Sequence, residues 1–234
     1  MRVDLGRTLH MGINYVTLPM LAIDEQNYLS FRQALHRGGI EVNSSVRRKD
    51  RIVIRRDPPF PLEISLIVQS PQPEIGQILI VAPDPERTVK TFAGEVNAIL
   101  EAFQHTRPAS NRQILSCDVT LRFLYPSDSD HAFQEIWEKR LHQPKDALNI
   151  LGSKVLGGGL RFVLPPQSDD PSPAQVELKI ESFLRDSTKI YVETQFLWKE
   201  QNPLAASFSP QDRLMQADNY VKNQVHTFMM EAES

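Results

Sequence analysis

Apolar and polar residues alternate along several short segments of the chain, which is the pattern of strands in a sheet with one buried face. In the first half of the chain this pattern predicts four strands, at 13–22, 51–55, 62–69 and 77–82. In the second half it predicts four more, at 114–124, 160–164, 176–183 and 190–198. Along 176–183, Glu177, Lys179 and Glu181 share one strand face and apolar residues take the other, so we expect helices to cover one face only.

Helices are predicted between these strands, where apolar residues recur every three or four positions. The first begins at a capping residue, Asp24, and ends at the glycine pair 38–39. The second is predicted to begin at Asp84, with a proline in its first turn. In the second half of the chain, residues 127–130 offer caps for a third helix that runs to Leu141, and the last helix begins at Ser209.

The predicted elements occur twice in the same order, β-α-β-β-β-α. The strands at 51–55 and 160–164 are both followed by a Pro–Pro pair, and the long helix of each half begins with a capping residue and a proline. The sequence therefore predicts an α+β fold with an internally duplicated unit, whose repeats at 1–107 and 108–234 form two domains or one fused domain. We expect a mostly antiparallel sheet with helices packed on one face and the other face open.

This order of elements over the whole chain resembles the duplicated saddle of the TATA-binding protein group, in which helices lie above a curved antiparallel sheet. The intercalating phenylalanine pairs of that family have no counterpart in this sequence, so the resemblance implies the fold and not DNA bending. The segments IYVETQFLWKE (190–200) and HTFM (226–229) also resemble a sporadically distributed prokaryotic family of uncharacterised proteins. That second resemblance implies no function.

Composition and charge narrow the classes of function. The 234 residues carry a formal net charge of -3, so no overall field attracts nucleic acid or an anionic membrane. The lone cysteine, Cys117, excludes an internal disulfide and fits a reducing compartment. The sequence shows no apolar stretch of the length that a signal peptide or a bilayer span needs, so we expect a cytoplasmic protein with no membrane contact.

A basic run at 47–56 is the sharpest local feature of the sequence. Its cationic side chains are Arg47, Arg48, Lys49, Arg51, Arg55 and Arg56. One interpretation is a contact for a small anion or nucleic acid, with Arg51 and Arg55 on one strand face and the other cations in the preceding loop. The other interpretation is a solvated edge strand that its charges protect from aggregation. No aromatic residue interleaves the run, which disfavours a platform for stacked bases.

The histidines and glycines show no catalytic or metal-binding pattern. None of the histidines forms an H-x-x-x-H or H-E-x-x-H pair, so no zinc site is predicted. His36 and His142 are each predicted to end a helix, where a cation is favourable. The glycines at 157–159 lead directly into a strand, which indicates a turn or bulge and not a phosphate loop.

The remaining candidate residues also have structural interpretations. Cys117 lies in an apolar strand, where a cysteine is usually inert. Asp128, Asp130, Asp169 and Asp170 lie in polar loops, where helix capping and solvation explain them and a divalent cation is the alternative. The sequence therefore assigns no catalytic residue, no metal and no cofactor.

These observations favour a non-catalytic binding or scaffold protein. It would use the open sheet face, or a groove between the two repeats, to hold a protein partner or a second copy of itself. Phe196 and Trp198 are the candidates for this surface, because alternation places them on the same face of one strand. The alternative is a binder of a small anionic ligand, or an enzyme acting on one, through the basic run, and nucleic-acid binding is a third hypothesis. A pocket that gathers Arg51 or Arg55 with a histidine and a carboxylate would favour the alternative.

Overall fold

An antiparallel sheet of nine strands organises the fold. The structure is a computed structural model, and it describes residues 1–19, 24–68, 75–106, 108, 110–168 and 172–230. The strands are β1 (Arg7–Leu18), β2 (Ser44–Arg47), β3 (Arg51–Arg56), β4 (Leu62–Val68), β5 (Gly76–Pro83), β6 (Gln113–Pro126), β7 (Gly159–Leu164), β8 (Gln175–Ser182) and β9 (Lys189–Lys199). They lie side by side in the order β2-β3-β4-β5-β1-β6-β9-β8-β7.

The two central strands, β1 and β6, join the two halves of the chain. Ile13 lies opposite Val119 in an antiparallel ladder that extends along the whole of β1. Strands β2 to β5 follow on one side of this pair and β7 to β9 on the other, so each half of the chain builds one side of a continuous sheet. The predicted α+β class and antiparallel sheet are confirmed, whereas the division into repeats at residue 107 stays a prediction.

The helices lie on one face of this sheet, as predicted. They are α1 (Glu25–Arg37), α2 (Val89–Thr106), α3 (Ala132–Gln134), α4 (Pro210–Tyr220) and α5 (His226–Met230). A π-helical turn, Glu135–Arg140, follows α3, and another, Val221–Val225, joins α4 to α5. The core lies between helices and sheet, where Phe31 of α1 meets Phe103 of α2 edge to face with 6.3 Å between ring centroids. Among the helices described, none combines the length and apolar character that crossing a membrane requires.

The predicted start of α1 is confirmed, and the predicted start of α2 is wrong. The Asp24 side chain accepts a hydrogen bond from the N–H of the third helical residue at 2.8 Å. Asp84 cannot cap α2 in this way, because its backbone is left-handed with φ 44° and its carboxylate is bound to Arg7 at 2.6 Å. The cap is Thr88, whose hydroxyl oxygen accepts a hydrogen bond from the N–H of Thr91 at 3.2 Å.

The eight predicted strands are present, and the structure adds β2, which sequence reasoning missed. This strand is short and mostly polar, so it shows no alternation, and it pairs with β3 with Ser45 opposite Ile54. Residues 20–22 and 69, at the predicted ends of two strands, lie outside the described residues. The polar β2 turns out to be the outermost strand of the first half.

The third helix ends near Leu141 as predicted, but most of it is π-helical. Its α-helical part spans three residues, and the π-helical turn that follows ends before Leu141. The rings of Phe133 and Trp137 stack with centroids 5.9 Å apart, and the Trp137 indole N–H donates to the carbonyl of Pro144 at 3.1 Å. His142, the predicted helix end, lies just beyond this turn with φ 50°. With nine helical residues, the third helix is shorter than α1, which has 13.

Candidate functional site

The side chains that point away from the helices form the open face of the sheet. Its central row crosses four strands in register, with Leu79 of β5 beside Asn14 of β1, then Asp118 of β6 and Leu197 of β9. These four side chains are half-buried by their neighbours within the sheet. The open face is therefore a broad surface in which apolar and polar groups are packed side by side.

The half of the open face built by the first half of the chain carries apolar side chains beside an ion pair of β3 and β4. Its apolar patch consists of Val16, Val53, Ile67, Leu79 and Val81, all half-buried. The register places Val53 and Leu79 on either side of a serine of β4, and Val16 and Ile67 on either side of a glutamine of β5. These side chains therefore form a contiguous apolar surface, bordered beside Val81 by Glu63.

The other half of the open face carries a charge ladder made of Arg122, Glu193, Lys179, Glu177 and Arg161. Glu193 accepts hydrogen bonds from Arg122 at 2.6 Å and from Lys179 at 2.7 Å. Lys179 also lies 3.3 Å from Glu177, which binds Arg161 at 3.0 Å. Opposite charges thus alternate across β6, β9, β8 and β7, and each cation of the ladder is paired with a carboxylate.

Glu193 is the most enclosed member of the ladder, with 9% of its surface exposed. Burial would raise the pKa of this carboxyl, but hydrogen bonds from Lys179, from Tyr191 at 2.8 Å and from Arg122 outweigh it and hold the pKa at about 2. Glu193 is therefore ionised over the whole physiological range, and its three donors fix the positions of the strands that carry them.

Polar groups of β1 mark the seam between the two halves of the open face. The His10 ring leans over Gly12, where an added Cβ would lie 2.8 Å from the His10 Nε2. Burial, and then the charge of Arg122, lower the pKa of His10 to about 4, so its imidazole is neutral at pH 7. Beside it, the Asn14 side chain donates to Asp118 at 2.8 Å, while burial raises the pKa of that carboxyl.

The basic run does not gather into one site. Four of its side chains pair with carboxylates of the chain: Arg47 with Glu25, Arg51 with Asp50, Arg55 with Glu63 and Arg56 with Glu95. Arg51 and Arg55 lie on β3 as predicted, but Arg47 lies in β2 and not in a loop. None of the six lines either of the two cavities described below, so the pocket that would favour an anionic ligand is not seen there.

The prediction that Phe196 and Trp198 form a partner surface is wrong. Both side chains are 2% exposed and lie under α4. Phe196 packs edge to face on Tyr220 at 5.3 Å, and the guanidinium of Arg213 lies 4.8 Å from the Trp198 ring. Alternation correctly placed the two on one face, but alternation alone does not reveal which face the helices cover.

The other residues that could have been catalytic or metal-binding have structural roles or lie outside the described residues. Cys117 is free and buried, and burial raises the pKa of its thiol, which disfavours a nucleophilic role. The backbone N–H of Asp128 donates to the buried Glu135 at 2.7 Å. Asp169 and Asp170 lie outside the described residues. Within the described part of the chain, no three metal-ligating side chains come together.

Two cavities lie on the helix side of the second half. One, of about 810 Å³, is lined by the stacked Phe133 and Trp137 and by the segment 145–155. The other, of about 630 Å³, lies between α4 and strands β7 and β8 and includes Phe196 and Tyr220. Sequence reasoning predicted neither, because the walls of each cavity come from separate elements whose packing the sequence alone does not show.

Comparisons with known proteins do not assign a family to this chain. No family model and no curated protein matches it. Among solved structures it is similar to DynU16, a protein of the dynemicin biosynthetic locus, with 10% identity over 94% of this chain and 97% of that chain and a TM-score of 0.28. It is also similar to BexL, a di-domain ARO/CYC protein of the BE-7585A biosynthetic pathway, with 9% identity over 78% of this chain and 74% of that chain and a TM-score of 0.24. Neither likeness supports a conclusion about function, and the resemblance to the TATA-binding saddle stays a prediction.

Proposed function

We propose that this protein is a non-catalytic binding protein whose open face holds a protein partner. The proposal is carried by the position of the helices, which pack on the opposite face of the nine-stranded sheet. Eight spacings of about 4.8 Å make the sheet about 38 Å wide. With a strand length of about 20 Å, the open face covers roughly 750 Å², close to what each partner contributes to a stable interface.

The apolar patch supports a protein as the partner. Its five side chains are contiguous in the sheet and are partly accessible to water in the free protein. Covering them would contribute about 25 cal/mol for each Å² removed from water. The charge ladder next to the patch would set the orientation of the partner, since charged groups at the rim of an interface contribute more to specificity than to affinity.

Pairing of the basic side chains disfavours an anionic ligand. Arg55, Arg122 and Lys179 each hold a carboxylate of the open face at 2.6 to 2.8 Å. A phosphate would have to displace these carboxylates before it gained any contact of its own. Binding of a small anion or of nucleic acid through Arg51 and Arg55 is therefore the less favoured alternative, and the experiment below would detect it.

Two further proposals concern origin and location. We infer that the halves of the chain arose by duplication, because, apart from the additional β2, their strands and helices follow in the same order on either side of the β1–β6 pair. We also propose a cytoplasmic location, which the single, unpaired and buried Cys117 supports.

A single arginine placed in the apolar patch tests the function. Leu79→Arg introduces a charge at the centre of the open face, and Asn97→Arg introduces the same charge on the exposed side of α2. Cross-linking mass spectrometry in cells that express the chain identifies a candidate partner. Titration calorimetry on the purified pair should then show binding weakened roughly tenfold or more by Leu79→Arg, and unchanged by Asn97→Arg.

The controls separate the alternatives. Urea unfolding of both variants establishes that any loss of binding does not reflect loss of the fold. If both arginines weaken binding equally, the open face is not the interface. If the wild type binds a polyanion column and Arg51→Ala together with Arg55→Ala abolishes retention, the anionic-ligand alternative replaces the proposal.

A further inference from the structure

Strand β7 leaves one edge of the sheet exposed along an apolar sequence. Phe162 is 36% and Val163 is 56% exposed, although both lie in a regular strand paired with β8. Further exposed apolar side chains flank the strand, with Leu156 before it and Leu184 after β8. An unpaired edge offers a row of backbone donors and acceptors to any strand that can approach it.

The opposite edge of the sheet, at β2, is protected by charges, so an unprotected apolar edge is a feature of β7 and not of both edges. Strand β2 has four residues, carries Arg47 and leads directly into the exposed Arg48 and Lys49. Charges of this kind are how proteins discourage edge pairing. Strand β7 carries one charge, Arg161, and Glu177 neutralises it within the chain.

The backbone pattern shows which residues of β7 face outward. The N–H of Ser182 donates to the carbonyl of Gly158 at 2.9 Å, which makes these two residues a hydrogen-bonded pair. Hydrogen-bonded pairs alternate along an antiparallel ladder, so the N–H and C=O groups of Phe162 point to β8. Those of Arg161 and Val163 point away from the sheet and face the open edge.

We infer that β7 pairs antiparallel with β7 of a second copy of this chain, about a two-fold axis that passes Phe162. This interface goes beyond the proposed function, because it uses the edge of the sheet and not the open face. Arg161 of each copy then lies opposite Val163 of the other, and these outward-facing residues exchange about four backbone hydrogen bonds. On the helix side, the apolar Leu160, Phe162 and Leu164 face the same three residues of the second copy.

The register follows from symmetry and charge. Residues opposite each other share a face of the sheet, so the two-fold axis must pass a residue of β7. An axis at Arg161 would place the two arginines directly opposite each other, which is unfavourable. An axis at Val163 would place Arg161 opposite Pro165, which has no N–H to donate. An axis at Phe162 avoids both problems, and it pairs five residues of β7 (160–164), whereas an axis at Leu160 would pair only three (159–161).

A second copy also explains why the edge need not lead to fibres. Two-fold pairing uses up β7 in both copies, and the edges that remain are the charged β2 strands. The prolines at 165 and 166 stop the pairing at the end of the strand. The expected product is a closed dimer with a sheet that continues from one copy into the other.

A matched pair of edge variants tests the dimer by sedimentation velocity over about a hundredfold range of concentration. Val163→Arg puts arginine opposite Arg161 of the second copy, while within its own chain it faces Glu177, so the fold should persist. Val46→Arg puts the same residue at the other edge, on β2, where valine is 49% exposed. We expect the wild type and Val46→Arg to dimerise and Val163→Arg to raise the dissociation constant roughly tenfold or more.

Disulfide trapping tests the register. Phe162→Cys should form a disulfide-linked dimer on mild oxidation, because a non-hydrogen-bonded pair brings its Cα atoms to about 4.5 Å, a separation that a disulfide spans. Arg161→Cys, which faces Val163 in the other copy, should not, and the native Cys117 is buried. A monomer at every concentration, a dimer indifferent to Val163→Arg, or trapping through Arg161→Cys but not Phe162→Cys would each overturn the inference. Leu79→Arg, which changes the open face, should leave the dimer intact. The dimer and the proposed partner binding can therefore be confirmed or refuted independently.

Discussion

The strands β3 and β7 occupy corresponding places in the two halves of the sheet, but their surroundings differ. In β3, Ile52 and Ile54 are fully buried, and β2 pairs with the outer side of the strand. In β7, the side chains of the helix face are half-buried or exposed, and no strand of the described chain pairs with its outer side. Similar strand sequences therefore end in different environments.

The helices account for this difference. In the first half, α1 has 13 residues and packs against α2 through Phe31 and Phe103. In the second half, the corresponding helix is reduced to the three residues of α3 and a π-helical turn. The sequence of a strand sets which side chains share a face, while the length of the neighbouring helix sets how well that face is covered. The helix face of the outer strands is thus more fully covered in the first half than in the second.

The largest expected effect compares two phenylalanines. Phe103→Ala removes a fully buried ring of the first half and should lower the free energy of unfolding by about 3–5 kcal/mol. Phe162→Ala removes a ring that is 36% exposed and packs edge to face on Phe228 at 5.8 Å, and it should cost about 1–2 kcal/mol in the monomer. Urea unfolding at low protein concentration measures both. Equal costs would show that the two halves are equally well packed.

A smaller effect compares two ion pairs. In the first half, Glu95 is held by Arg56 and Arg87, whose side chains are largely buried. Glu95→Gln leaves two poorly hydrated guanidinium groups and should cost about 2–3 kcal/mol. In the second half, Glu177→Gln removes the partner of the exposed Arg161 and should cost about 0–1 kcal/mol. The same unfolding experiment would contradict the comparison if the second change proved the more damaging.

The smallest effect concerns two histidines and pH. Burial lowers the pKa of His10, at the seam, to about 4, and it also lowers the pKa of His226, in the second half, which is hydrogen-bonded to Tyr125 at 2.9 Å. A lowered histidine pKa means that the unfolded chain takes up the proton more readily. The stabilisation is therefore complete above pH 6.5 and is lost as the pH falls from 6.5 toward 4.

Substitution of each histidine separates the two contributions. His10→Gln should remove about 1 kcal/mol of the loss in stability between pH 7 and 5, after allowance for solvent screening. His226→Gln should remove less. Below pH 4.5 a further loss should remain in both variants, because the pKa of Glu193 is about 2 and its stabilisation disappears as the pH falls from 4.5 toward 2. A pH profile unchanged by His10→Gln would show that the seam does not titrate in this range.

Much of the fold was predictable from local patterns. Alternation along 176–183 correctly placed Glu177 and Lys179 opposite the helices, and Asp24 correctly marked the start of α1. Prediction failed where a local signal had a stronger competitor. Asp84 looks like a helix cap, yet its carboxylate is bound to an arginine from a strand far away in sequence, and Thr88 takes its place.

The candidate site was less predictable, for a physical reason. The charge ladder needs the register of four strands, and the partner of Glu193 on β6 is 71 residues away in sequence. Phe196 and Trp198 show the same limit of local patterns. Alternation correctly placed both side chains on one face of the strand, but they face the helices and not the open side. The alternating charges of β8 are the signal that could have helped. They indicate an accessible face, and they predict oppositely charged residues on the two strands that flank β8.

The pairing of β1 with β6 makes the two sides of the sheet depend on each other for backbone hydrogen bonds. Taken alone, the first half would end in β1 and the second in β6, each as a long strand with one side unsatisfied. Each side therefore completes the backbone hydrogen bonding of the other through this ladder. In this respect the ladder resembles the interface of an obligate dimer, because a change that broke it would expose two long strand edges at once.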